Sequence, residues 1–449
     1  MGINRRSFIQ YASLAAGGRL AGLRPFGALN AFAQSSAPPS GYKALVCVFL
    51  FGGNDANNML VPFDTVGYDN YARLRGPLAL PQNQLLQLAA MPDYGLHSSL
   101  PEISRLVDSG SAALIANVGT LMGPTTRANF AAQLNLPANL FSHADQQLQW
   151  QNASQSATTS TGWAGRMSDL LGSRFNPSAS IPMITSVAGD TLFCDGQSTT
   201  PLAVSPGNVA GVTCGEGTAV CSVREEMAQS FLSFASGLSL VQADNVISQN
   251  ADRYATVLTE AVSNIAPLTT PFPANNPLAT QLQQIAQLMQ VRSSFGVNRQ
   301  IFFASIGNFD THANQLAQQS LLLGQTSAAV SAFYQATQEL GIASEVTTFT
   351  MSDFSRAFQP NSNKGSDHGW GSHHIVLGGA VKGAKLYGTY PTLALAGPDD
   401  SDRNGRWIPS ISSVQYASTL ASWFGVSAAQ LSLIFPALGA FSSTNLGFV

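Results

Sequence analysis

Residues 43–51, KALVCVFLF, are apolar after the first lysine and are bounded by Gly41 and by Gly52-Gly53. A run of that length without polar alternation predicts a strand buried on both faces of a parallel sheet. The pattern recurs at residues 112–118 (AALIANV), 301–306 (IFFASI) and 346–351 (VTTFTM), with further strand-like runs at 375–381 and 393–396. Between these runs the apolar positions take helical spacing, at 100–107, 224–265, 325–340 (ended by Gly341), 414–424 and 428–438. Strand–helix–strand alternation predicts right-handed crossovers and an α/β fold of three layers, a mostly parallel sheet with helices on both faces. Residues 181–224, short apolar pieces broken by Gly, Pro, Ser and Thr, predict a loop-rich or β-rich insertion over that sheet.

The polar residues that matter follow the apolar runs. Asp55 comes just after the first strand, Asp310 just after the run 301–306, and Asp353 directly after VTTFTM. Ligands of open α/β sheets collect beyond the carboxyl ends of the strands, so these three acids are expected at one sheet edge. Around them stand Asp367, His312, His368, His373 and His374; residues 352–374 alone hold two Asp and three of the six His of the chain. Imidazole nitrogens and carboxylate oxygens suit zinc, manganese or a similar divalent ion, and Gly365, Gly369 and Gly371 allow the loop to bend its side chains inward. As turn formers, GGND would also put Asp55 at an ordinary cap, and Arg356 would also serve as a simple partner for Asp353. Ser142 opens a predicted helix, where a hydroxyl either caps the helix or meets an anionic group at its positive end.

Composition narrows the class. With 449 residues, 45% hydrophobic and 10% charged, the chain can bury a large core. The first 33 residues hold four Arg and no acid, which leaves 17 basic against 24 acidic residues, a net of -7, and disfavours nucleic acid as a partner. Arg5-Arg6 followed by Ser7, Phe8 and Ile9, a weakly apolar stretch and Ala31-Phe32-Ala33 resembles a twin-arginine export signal. Residues 1–33 are therefore expected to be a signal peptide read by the twin-arginine machinery, 34–449 a single domain, and the location periplasmic or secreted. No apolar run elsewhere reaches the ~20 residues of a membrane span. Of four Cys, Cys47 lies in an apolar strand, Cys214 and Cys221 are spaced for a disulfide in an oxidising compartment, and the state of Cys194 stays open.

Taken together, FLFGGNDANN, FSHADQQLQWQ, TGWAGRM, NFDTHANQ, SDFSRAF, SDHGWGSHHIVLGGAVKG and QYASTLASWFGV resemble, in order and over nearly the whole mature chain, the twin-arginine-exported family DUF1501. That family is similar to the alkaline phosphatase, sulfatase and phosphoglycerate mutase superfamily, so the resemblance implies an alkaline phosphatase-like fold and two divalent ions. It implies a first-strand ligand at Asp55, and a set made of Asp310, His312 and His373 or His374. It further implies a later Asp-His pair: Asp353, followed here by Phe354, or Asp367-His368. The nucleophile implied is Ser142, with Thr125 and Thr126 as alternatives, and Arg356 would orient the anion. The implied activity is metal-dependent hydrolysis of an anionic phosphate or sulfate ester by in-line displacement. The absence of a Cys-x-Pro-x-Arg stretch counts against a formylglycine-type sulfatase. The competing class is a non-catalytic protein that keeps the fold and binds an envelope partner.

Overall fold

The computed structural model describes residues 41–154, 159–204, 237–263 and 265–449, with isolated positions between 227 and 233. The expected signal peptide and the Cys214–Cys221 pair lie outside the described residues. In chain order the strands are β1 (Lys43–Leu50), β2 (Leu60–Pro62), β3 (Leu86–Leu88), β4 (Met91–Leu96), β5 (Ala112–Gly119), β6 (Ile184–Ser186) and β7 (Leu202–Ala203). They continue as β8 (Arg299–Ile306), β9 (Val346–Ser352), β10 (Arg356–Pro360), β11 (Ser366–His368), β12 (Ser372–Leu377), β13 (Leu386–Tyr387) and β14 (Ile411–Ser412). The helices that build the layers are α1 (Thr65–Arg75), α2 (Pro101–Asp108), α3 (His143–Asn152), α4 (Trp163–Phe175), α5 (Pro277–Gln290), α6 (Gln315–Glu339) and α7 (Ser413–Phe424).

One mixed sheet runs in the order β13-β5-β12-β9-β1-β8-β6-β7, with β14 also on β5. The apolar run expected to be buried on both faces, β1, is at its centre. Alternate residues of β1 feed two cores: Ala44, Val46, Val48 and Leu50 pack with α2, α5 and α6, and Leu45, Cys47 and Phe49 pack with α4 and α7. Alternation along a strand sends these sets to opposite faces, so the molecule has the three layers expected. Each fully buried Leu or Phe contributes roughly 1.5–3 kcal/mol, and tens of such side chains fill the two layers.

Within this sheet, among the described residues, only β12 runs against its neighbours, antiparallel to both β5 and β9. A parallel return would need a crossover element, usually a helix. Residues 353–371 provide instead the two-stranded ribbon β10-β11, which turns the chain back beside β9. β12 also begins earlier than its hydrophobicity suggested: Ser372, His373 and His374 are strand residues, not loop residues. The segment 393–396 is not a strand, and the helix expected over 428–438 is broken into short turns ahead of Pro436. In the described part of 181–224, β6 and β7 extend the main sheet edge instead of covering it.

Candidate metal centre

Strand register brings the acids together. β1 pairs in parallel with β8 and β9, and Leu50 stands opposite both Ile306 and Ser352, so three chain segments leave the sheet at one level. Gly52 sits where they meet. Its N–H donates to Asp353 Oδ1 (3.1 Å), and its carbonyl accepts from Arg356 Nη1 (3.2 Å). Its φ of 111° lies in the region that favours glycine, and a Cβ there would overlap the backbone of Phe309 and Asp310.

Above this junction, His143 Nε2, Asp310 Oδ1 and His368 Nε2 converge, all within 4.8 Å of one another. Asp310 is 45% exposed, and the two histidines are half-buried. Asp310 Oδ1 lies 3.4 Å from His143 Nε2, 3.5 Å from His368 Nε2 and 3.0 Å from His312 Nε2. The Nε2 atoms of His312 and His368 face each other at 2.9 Å. Arg356 is completely buried. Its Nη1 donates to Asp310 Oδ1 at 2.7 Å, and Nη2 donates to the Ser366 carbonyl. Burial alone would raise the Asp310 carboxyl, but the Arg356 hydrogen bond and charge, with His312 and His143, outweigh it and hold Asp310 below its usual range. His143 is pushed up, chiefly by its hydrogen bond to Asp353 and against the opposing effect of burial. His368 is pushed down, chiefly by burial.

The donor set fits a divalent cation. His143 Nε2 is buried and without a hydrogen-bond partner, because its approach to Asp310 lacks hydrogen-bond geometry. Two imidazole nitrogens and a carboxylate oxygen aimed at one point form a donor set of the kind that holds zinc, iron or manganese. Among the described residues this is the one cluster of its kind, with capacity for a single ion.

The other residues singled out in the sequence fall into two groups. Asp353, fully buried, accepts from Gly52 N, from Gln147 Nε2 (2.7 Å) and from His143 Nδ1 (2.7 Å), so it touches the cluster through His143. Asp367 is largely exposed and reaches His312 Nδ1 at 3.5 Å. Ser142 is the N-cap of α3: its hydroxyl donates to Asp145 Oδ2 (2.6 Å) and accepts from Asp145 N. Asn139 and Ser142 hydrogen bonds hold the Asp145 carboxyl below its usual range, which makes it a weak base for that hydroxyl. Thr125 bonds to the Gly123 carbonyl, and Thr126 caps the short helix that follows.

Asp55, His373 and His374 lie apart from the cluster. Asp55, completely buried, forms an ion pair with Arg75 and accepts from Gln315 Nε2 (2.6 Å), while its Oδ1 has no partner. His373 accepts from Asn117 N (3.1 Å) and stacks on Tyr390; His374 lies against Trp150 and Tyr416. As consecutive strand residues these two point to opposite faces. Burial pushes both down to about 3, so they are neutral.

Two participants escaped the sequence reading. His143 was visible only as the residue after a helix cap, although FSHAD places an imidazole within the positive first turn of α3. Arg75 is one of two arginines in the last turn of α1, with nothing in the local pattern to show that it, and not Arg73, is buried against Asp55.

A three-layer α/β protein with a candidate cation site at the carboxyl ends of its central strands is thus the class that fold and site define. Residues 42–401 match the family model described as "Protein of unknown function (DUF1501)", and the chain belongs to that family. A comparison with curated proteins finds no match. Among solved structures it is similar to Ps i-CgsB, crystallised with k-i-k-neocarrahexaose, at 11% identity and a TM-score of 0.38 over 90% of this chain and 78% of that one. It is also similar to a mutant of the alkaline phosphatase PafA (11%, TM-score 0.30, 71% and 64%). A third is the lipoteichoic acid synthase LtaP from Listeria monocytogenes (8%, TM-score 0.31, 86% and 80%).

Proposed function

We propose that this chain is an exported metal-dependent hydrolase of phosphate or sulfate esters, with His143, Asp310 and His368 as the ligands of its metal. The observation that carries the reading is the convergence of those three donor atoms, with His143 Nε2 buried and unpartnered. A bound divalent ion there would polarise an ester oxygen and lower the pKa of an attacking group. Arg356 holds Asp310 in place through Nη1 and keeps that carboxyl ionised. Ser142, next to His143 in the chain, is the proposed nucleophile; to attack, its hydroxyl has to leave Asp145. Export through the twin-arginine pathway, suggested by Arg5-Arg6, would deliver the protein already folded.

The test is elemental analysis of the purified protein with turnover of aryl phosphates, phosphodiesters and sulfates. About one ion per chain and hydrolysis of one ester class are expected, and Asp310→Ala should lose both. A wild-type protein that holds no metal and turns over none of the panel sinks the reading. Metal without turnover favours the non-catalytic envelope-binding protein, for which the engagement of Ser142 by Asp145 speaks. The two-ion form, zinc or manganese in both sites, is favoured by one observation, the unpartnered Oδ1 of Asp55. It requires two ions per chain, falling to one in Asp55→Asn.

A further inference from the structure

We propose that Asp353 is a positioning residue which, together with the Phe141 carbonyl, commits both imidazoles of the cluster to carry their proton on Nδ1 and so turns both Nε2 atoms toward Asp310. The inference rests on the metal reading above and assigns Asp353 a role outside the ligand set. A carboxylate and a carbonyl can only accept hydrogen bonds. His143 Nδ1 stands 2.7 Å from Asp353 Oδ2, and His368 Nδ1 stands 2.6 Å from the Phe141 carbonyl, so each Nδ1 is the donor. Asp353 is itself fixed: it is completely buried, and besides His143 it takes the Gly52 N–H on Oδ1 and the Gln147 amide on Oδ2.

The second arm has its own constraint. Phe141 has φ of 71°, a left-handed conformation that an aromatic residue seldom adopts. Its ring is held under the Arg406 guanidinium at 4.5 Å, while Arg406 Nε donates to the His368 carbonyl (2.8 Å). The Phe354 ring lies 4.8 Å from both His143 and His368, stacked on the latter, and limits rotation of either. An acceptor behind a ligating histidine sets its tautomer and raises its basicity, and loss of that acceptor typically costs 10–100-fold in metal affinity.

The arrangement is read first in the metal-free, full-length protein by long-range ¹H–¹⁵N correlation at a pH where the rings are neutral; with six His in the chain, single His→Gln variants assign the signals. Both His143 and His368 should carry hydrogen on Nδ1. In Asp353→Asn, the new amide can donate to Nδ1, so His143 should move to the Nε2–H form. Co²⁺ affinity should fall about 10–100-fold while the absorption spectrum of the bound Co²⁺ keeps its shape. The proposal is overturned if wild-type His143 is protonated on Nε2, if Asp353→Asn binds Co²⁺ as tightly as wild type, or if its spectrum shows a lost ligand as in His143→Ala. Should Asp353→Asn fail to fold, the wild-type tautomers still decide, and Gln147→Leu should weaken Co²⁺ binding in the same direction. A wild-type chain with both Nδ1–H rings that takes up no Co²⁺ removes the metal reading and leaves the tautomer assignment standing.

Discussion

Single residues separate two kinds of histidine in this protein. His143 keeps Nε2 free of hydrogen bonds and His368 sets its Nε2 against that of His312, both near the Asp310 carboxylate, whereas His373 and His374 are buried among aromatic rings with folded-state pKa values near 3 against an ordinary 6.5. Because the folded values are depressed, the unfolded chain binds protons first as pH falls. The stability is fully present above about 6.5 and is lost progressively as pH drops toward 3. Each histidine then costs about 2 kcal/mol between pH 7.5 and 5. His374→Phe, which keeps a ring against Trp150 and Tyr416, should remove about half of the pair's combined loss and leave metal content unchanged. Urea midpoints at the two pH values measure it, and an unaltered pH dependence would refute the assignment. The pair was misplaced in the sequence for a physical reason: SHHIVL reads as a strand only from Ile375, since nothing local shows that two imidazoles are neutral and buried.

At the level of elements, short backbone approaches fix where the side chains arrive. Gly365, in the turn between β10 and β11, lies so close to the His312 carbonyl that a Cβ would overlap it, and Asn361 Nδ2 donates to the same carbonyl (3.0 Å). Gly365→Ala should therefore push the ribbon off His312 and destabilise the protein by about 1–3 kcal/mol, the usual cost of overpacking. A denaturation midpoint equal to wild type would show that the turn yields freely. Gly162 and Gly165 act similarly at the start of α4, where a Cβ would strike the backbone at Leu192–Phe193 and Asp195–Gly196. This explains the glycines of TGWAGRM without any chemistry. The strands that lead to Asp310 and Asp353 were legible because runs of apolar or β-branched residues without turn formers end shortly before each acid. The β10-β11 ribbon was not, since a polar, glycine-rich stretch gives no periodicity from which to read a pairing.

Across the whole molecule, the cluster draws on the first turn of α3, the loop after β8 and the end of β11. A cation held by all three ties distant segments together and should stabilise the fold by mass action. Saturation at 100 times the dissociation constant contributes about 2.7 kcal/mol. Chelation should thus lower the melting temperature, and re-addition of the ion should restore it; a melting temperature indifferent to both would argue against tight binding. No helix among the described residues is long and apolar enough to cross a membrane. The general layered plan could be read from the strand–helix rhythm, but which acids share a neighbourhood could not, because Arg75 takes Asp55 away through a contact between segments that the pattern leaves unrelated. The strand order carries a last consequence for synthesis. β1 is made early, yet its two partners are β8 and β9, and His368 follows later still. A nascent polypeptide on the ribosome therefore does not have both partners of its central strand until Ser352 has been made, nor the third donor of the cluster until His368 has been made, so products that stop short of it hold only part of the donor set.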